Sequence, residues 1–208
     1  MKKPALIIIL TVLAIVVLFL PRQIFGQDIT IVYTGSSHAA LLPCHCPAAP
    51  NGGIPRRHTK IMELRKSLPN LLLLDSGSVF SGGTLDTNTK TPELDKMRTQ
   101  TYLEAVSLMK YDAVAIGDEE FNFGDEFLLE MQEKYKIPFI SCNLKSDKIS
   151  PFVIKKAGKT KVAIVGVTGL EAKTKSKLEI EEPIEAIKKT LADLKKENPG
   201  LIILLSQL

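Results

Sequence analysis

Three groups of side chains in this 208-residue chain have the types and spacing to do chemistry. The first is His38 with the acidic run Asp118-Glu119-Glu120. Imidazole nitrogen and carboxylate oxygen are the donors that divalent cations of the Mn, Zn or Mg type accept. His38, Asp118 and Glu119 could together hold one ion, or the two carboxylates could simply be solvated. The second group is Cys44-His45-Cys46, set between Pro43 and Pro47. Two thiols one residue apart suit a Zn²⁺ or copper site, a redox pair or covalent attachment of a cofactor, although not by the Cys-x-x-Cys-His haem pattern. They suit equally a structural role, as a strained local disulfide or a bridge to a cysteine elsewhere. The third is Arg56, beside Arg57 and His58 at a helix start: Arg56 can attract anions or sit solvated, and His58 reads as surface. Cys142, at a strand end beside Asn143, reads as a buried thiol.

The elements that must position these groups alternate strand and helix. Residues 29–34 form a β-branched strand ending in Gly35-Ser36-Ser37-His38. A loop rich in Pro, Gly and Cys follows, then a helix from about Pro55 with Ile61, Leu64 and Leu68 at helical spacing. Leu71–Asp75 is an unbroken apolar strand, the pattern expected when both faces are covered. Its end runs into the flexible stretch 76–83. Pro92 opens a helix whose face holds Tyr102, Ala105, Val106 and Met109. A strand over 112–116 leads to 117–124, then a helix carrying Phe127, Leu128, Met131 and Tyr135, and a strand over 137–142. Residues 152–155 and 161–167 pair as a hairpin across Gly158. The last helix opens at Pro183, with Ile184, Ile187, Leu191 and Leu194 on its face, and stops at Asn198-Pro199-Gly200. Residues 201–205 form the final strand. Such alternation predicts an α/β fold with a mostly parallel central sheet, and places the ligand site at the strands' C-terminal ends.

Those ends, in order, read Ser36-Ser37-His38, then Gly52-Gly53-Ile54-Pro55-Arg56-Arg57, then Asp75-Ser76-Gly77-Ser78. They continue with Gly117-Asp118-Glu119-Glu120-Phe121-Asn122-Phe123-Gly124 and finally Ser206-Gln207. The series resembles the motifs of the calcineurin-like metallophosphoesterases, in particular the N-terminal domain of the 5′-nucleotidase and 2′,3′-cyclic phosphodiesterase branch, over residues 28–208. The resemblance implies a layered α/β/β/α sandwich from which a C-terminal part is missing. It also implies a site where two divalent ions clamp a phosphate ester and activate water. At the matching positions, however, Ser36 replaces the first-motif Asp and Ser78 the bridging Asp. Asp118 replaces an Asn ligand, Glu119 the His that resembles the catalytic acid, and Gln207 a His ligand. Only His38 is unchanged. By the same resemblance Asp75 and Glu120 brace the cleft, and Arg56 lies near the phosphate rim. A hydroxyl in place of a bridging carboxylate removes the charge that lets two cations sit together. The expectation is therefore a phosphoesterase frame whose metal site is degraded, serving as a binding or scaffold relative. Two alternatives stay open: a phosphoester hydrolase with an altered or single-metal site, and a Cys-x-Cys metal or redox module.

Composition bounds the rest. The chain has 27 basic and 23 acidic residues, and three of the basic ones, Lys2, Lys3 and Arg22, precede residue 27. The remainder is close to neutral, and no clustered basic surface marks a nucleic-acid partner. Lys2-Lys3 followed by the apolar run 5–20 reads as a signal peptide or N-terminal anchor over residues 1–26, engaging the export machinery or a membrane. Residues 27–208 then form one incomplete domain, periplasmic or extracellular. The expected partner is a phosphate-ester small molecule or a protein.

Overall fold

The computed structural model describes residues 28–44 and 51–207. The leader, His45 and Cys46 lie outside them. Four strands form a parallel sheet in chain order: β1 (Thr30–Thr34), β2 (Leu71–Asp75), β3 (Ala113–Ala115) and β4 (Phe139–Ile140). They are connected through α1 (Ile54–Ser67), α2 (Pro92–Met109) and α3 (Asp125–Tyr135). A second sheet follows, in which β5 (Phe152–Ala157) runs antiparallel to β6 (Thr160–Thr168). β6 is in turn parallel to β7 (Leu201–Gln207), which is reached through α4 (Pro183–Leu194).

Side-chain alternation decides the layers. Successive residues of a strand point to opposite faces, and every residue of β2 is buried. Leu71 and Leu73 face a core shared with Ile61, Tyr102, Leu128 and Met131 of the three helices. Leu72 and Leu74 face the other way, with Ala113 and Ala115, onto Val162 and Ile164 of the second sheet. The outer face of that sheet, Ala163 and Val165, is covered by Leu194 of α4. The order is helices, sheet, sheet, helix, which is the α/β/β/α sandwich. The two alanines of β3 let the sheets approach, and Gly166 completes the fit: a Cβ there would sit 2.4 Å from the Ile140 carbonyl oxygen.

One detail differs from the sequence reading. α4 buries Pro183, Ala186, Thr190 and Leu194, whereas Ile184 and Leu191 are exposed. Small side chains at 186 and 190 bring the helix axis close to β6, and that turns the bulkier stripe outward.

A candidate active-site cleft

The loops leaving β1, β2, β3 and β7 meet at one rim. The Ser36 N–H donates to Gly77 O at 2.8 Å and the His38 N–H to Ser78 O at 3.0 Å. A methyl group on Gly117 would lie 2.7 Å from Gln207 Cγ and 3.3 Å from Ser78 Oγ. Ser36, His38, Ser78, Gly117 and Gln207 therefore share one neighbourhood. The rim is also where the backbone is strained: Ser36, His38, Ala39 and Ser78 have φ between 45° and 56°. The other positive-φ residues that are not glycine among the described residues, Lys110, Lys136 and Asn198, are helix C-caps, where this conformation is ordinary. Four strained non-glycine residues in two touching loops cost about 1–3 kcal/mol each, a pattern that clusters at functional sites.

Two buried carboxylates hold the rim in shape. Glu120 accepts the backbone N–H groups of Ser78, Val79, Phe80 and Gly117, at 2.6–3.3 Å. Burial pushes its carboxyl up to about 7, against the pull of those donors. Asp75 accepts from Thr34 Oγ1 at 2.5 Å and from the Gly77 N–H at 2.8 Å, and burial raises it to about 6. Both contacts are of the bracing kind.

The remaining acidic groups are already paired. His38 Nδ1 and Glu119 Oε2 are 2.5 Å apart, and burial raises the Glu119 carboxyl while His38 opposes the shift. Asp118 points elsewhere: Lys175 Nζ lies 2.7 Å from its Oδ2 and 2.9 Å from Asn122 Oδ1. His38 and Glu119 thus come together, and Asp118 faces an ammonium instead. Among the described residues no three His, Cys, Asp or Glu side chains group as a metal site would require. With hydroxyls at 36 and 78 and an amide at 207, this donor set does not fit a pair of divalent cations. Cys44 lies on the same rim, exposed, with the Asn51 N–H donating to its sulfur at 3.1 Å. Cys142 is half-buried, and burial raises its thiol.

Beside the rim opens a cleft of about 610 Å³, lined by Ser36, Ser37, Leu41, Leu42, Pro43, Gly53, Arg57 and Arg98 among others. Arg56 is exposed on the far side of α1, next to Lys60 and Glu63. The cleft arginine is Arg57, which donates to Ser37 Oγ at 3.2 Å and to the Tyr102 hydroxyl. The spacing of Ile54, Ile61 and Leu64 carries the signal for it, because position 57 falls on that inward stripe. Arg98 bridges Asp86 and Asp95 and donates to His38 O at 3.1 Å, so it fastens the loop after β2 to α2. Burial works to raise Asp86, but the Arg98 guanidinium and the N–H groups of Gly82 and Asn88 outweigh it and hold the carboxyl at about 2. Lys175 has no local sequence signal, since its contact with Asp118 is long-range, and in the Arg98 cluster only the i, i+3 pair Asp95–Arg98 has one.

The sandwich, with its functional loops at the C-terminal ends of the strands, is the architecture of a calcineurin-like phosphoesterase domain. No family model matches the chain. The chain is 30% identical over 199 residues to human 5′-nucleotidase, a match that covers 86% of this chain and 33% of that protein. Among solved structures, a 5′-nucleotidase precursor from Thermus thermophilus superposes with a TM-score of 0.75 at 24% identity, covering 86% of this chain and 36% of that one. The calcineurin-like phosphoesterase YfkN of Bacillus subtilis gives a TM-score of 0.65 at 23% identity, with 85% and 61% covered. In sequence and fold the chain is similar to the 5′-nucleotidase branch of the calcineurin-like phosphoesterases. It spans about a third of the length of the curated relatives it matches.

Proposed function

We propose that this phosphoesterase domain acts as a non-catalytic binding or scaffold relative of the 5′-nucleotidases. One observation carries the reading. Where a dinuclear site needs carboxylates and imidazoles, the rim offers Ser36, Ser78 and Gln207, and its charged groups are spent on each other as His38–Glu119 and Asp118–Lys175. Two cations held close together need anionic oxygen between them, and a hydroxyl does not supply it.

The competing reading is a hydrolase with one metal held by His38 and Glu119, favoured by the 2.5 Å approach of those two groups. The two readings part in a single assay. The purified protein with Mn²⁺ should leave a generic phosphodiester at the no-protein rate, and metal analysis after mild purification should find far less than one equivalent. Mn²⁺-dependent turnover that Glu119→Ala abolishes would overturn the non-catalytic reading.

Export belongs to the same proposal. It rests on Lys2-Lys3 and the apolar run 5–20, which lie outside the described residues. Among the described residues no helix is long and apolar enough to cross a membrane. Reporter fusions to residues 1–30 test export, and retention of the reporter in the cytoplasm would count against it.

A further inference from the structure

The cations around the cleft are not equally committed. Lys175 is paired with Asp118, and Arg98 with Asp86 and Asp95. Arg57 makes no ion pair among the described residues: its guanidinium donates to the neutral oxygens of Ser37 and Tyr102, and the Tyr111 hydroxyl is a further hydrogen-bond partner. The buried Asp75 carboxyl acts on it only at longer range. Arg57 nevertheless lines the cleft, with the hydroxyls of Ser36 and Ser37 beside it. A guanidinium presents five donors in a planar fork suited to two oxygens of a phosphate or carboxylate, and here its bonded partners are neutral hydroxyls rather than an anion.

The surroundings agree with an anionic guest. Arg57 sits in the first turn of the 14-residue helix α1, whose N-terminus carries no side-chain cap and no acidic residue. Gly52 and Gly53, at that N-terminus, line the same cleft. A helix N-terminus carries partial positive charge that favours an anion. Leu41, Leu42 and Pro43 form an apolar wall on the same cleft, and Leu42 is 72% exposed.

We propose that Arg57, Ser37 and the N-terminus of α1 form a metal-independent oxyanion subsite, which takes the phosphoryl group of an organic phosphate whose carbon portion lies against Leu41–Pro43. The inference rests on the reading of the cleft as a binding site that does not depend on a metal pair. Charge formerly neutralised by metal ions would here be met by a covalently held guanidinium.

The test is a heteronuclear NMR titration of the full chain in EDTA, with inorganic phosphate and then phenyl phosphate as probes. Saturable shifts are expected at the Arg57 Nε–Hε signal and at the amides of Ser36, Ser37 and Gly53, with phenyl phosphate binding more tightly than phosphate. Arg57→Met should weaken phosphate binding at least about tenfold, the loss expected for a charge-assisted pair. Arg56→Met, on the outer side of the same helical turn, should stay within about twofold of wild type. If Arg57→Met fails to fold through loss of the Tyr102 contact, the wild-type Arg57 signal still decides. Unmoved Arg57 and Ser37 signals in EDTA overturn the subsite, as does an Arg57→Met variant that binds like wild type. Binding that appears only with Mn²⁺ overturns both this subsite and the non-catalytic reading. Absence of binding under both conditions overturns the subsite alone.

Discussion

Asp75 and Glu120 show how two buried carboxylates hold the loops of this rim in shape. Asp75 holds its proton up to about 6 in the folded chain, against an ordinary value of 3.8. Between those values the folded state binds more protons than the unfolded one. Its contribution to stability is therefore greatest below about 4 and is lost as pH rises through 6. Asn cannot titrate and can keep a bond to Thr34, so Asp75→Asn should gain on wild type by up to ~3 kcal/mol between pH 4 and pH 7. Urea unfolding at the two pH values checks this, and a constant difference would refute it. Glu120 is the harsher case. Each of its oxygens accepts two backbone N–H groups, and Glu120→Gln would aim an amide N–H₂ at one of those pairs. A loss of ~2–4 kcal/mol at pH 7 is expected from the unsatisfied donors, measured by denaturant midpoint. Motif resemblance alone makes these bracing roles legible in the sequence. Arg57 is legible only through helical phase, and Lys175 not at all, because an ammonium 57 residues away from Asp118 in the chain has no local pattern.

Elements are most legible where one kind of contact dominates. β2 is apolar throughout because both its faces are buried, and the structure returns it at Leu71–Asp75, the same bounds that the sequence suggests. β4 shrinks to two residues, since beyond Ile140 the chain leaves the first sheet: the Ser141 N–H donates to Ser150 O and the Cys142 N–H to Gly166 O in the second. The periodicity of α4 points to its largest apolar side chains, yet beside Leu194 the helix buries the smaller Ala186 and Thr190. Close approach of backbones is the common cause, and apolar periodicity does not register it. Gly166 makes the point testable. In Gly166→Ala the new methyl would stand 2.4 Å from a backbone oxygen and 2.8 Å from Ile140 Cγ1, so the sheets must separate to admit it. The expected cost is ~2–3 kcal/mol, read as a lower melting temperature. Unaltered melting would mean the inter-sheet contact is softer than its geometry implies.

At the scale of the whole molecule, the two sheets are unequal, and the consequence lies at their edges. Among the described residues β7 is a terminal strand of the second sheet, and Ile202 and Leu204 are 43% and 47% exposed. Among them too β1 is a terminal strand of the first, with Ile31 and Tyr33 on the face that Leu72 and Leu74 share with the second sheet. Tyr33 is nevertheless 77% exposed, because the three-stranded sheet does not reach across to it. Unpaired edge strands carrying apolar side chains template pairing with other chains. Natural edges are blunted by charge, yet residues 201–205 carry none. This chain at high concentration should therefore associate through these edges. Sedimentation velocity should show a concentration-dependent rise in mass, which Leu204→Lys and Tyr33→Lys together reduce, because a lysine on an edge strand disfavours strand pairing. The cleft lies at the ends of the strands rather than along these edges, so phosphate-induced shifts at Arg57 should survive the double substitution. A wild-type chain that stays monomeric across the range would show that the exposed faces do not drive association.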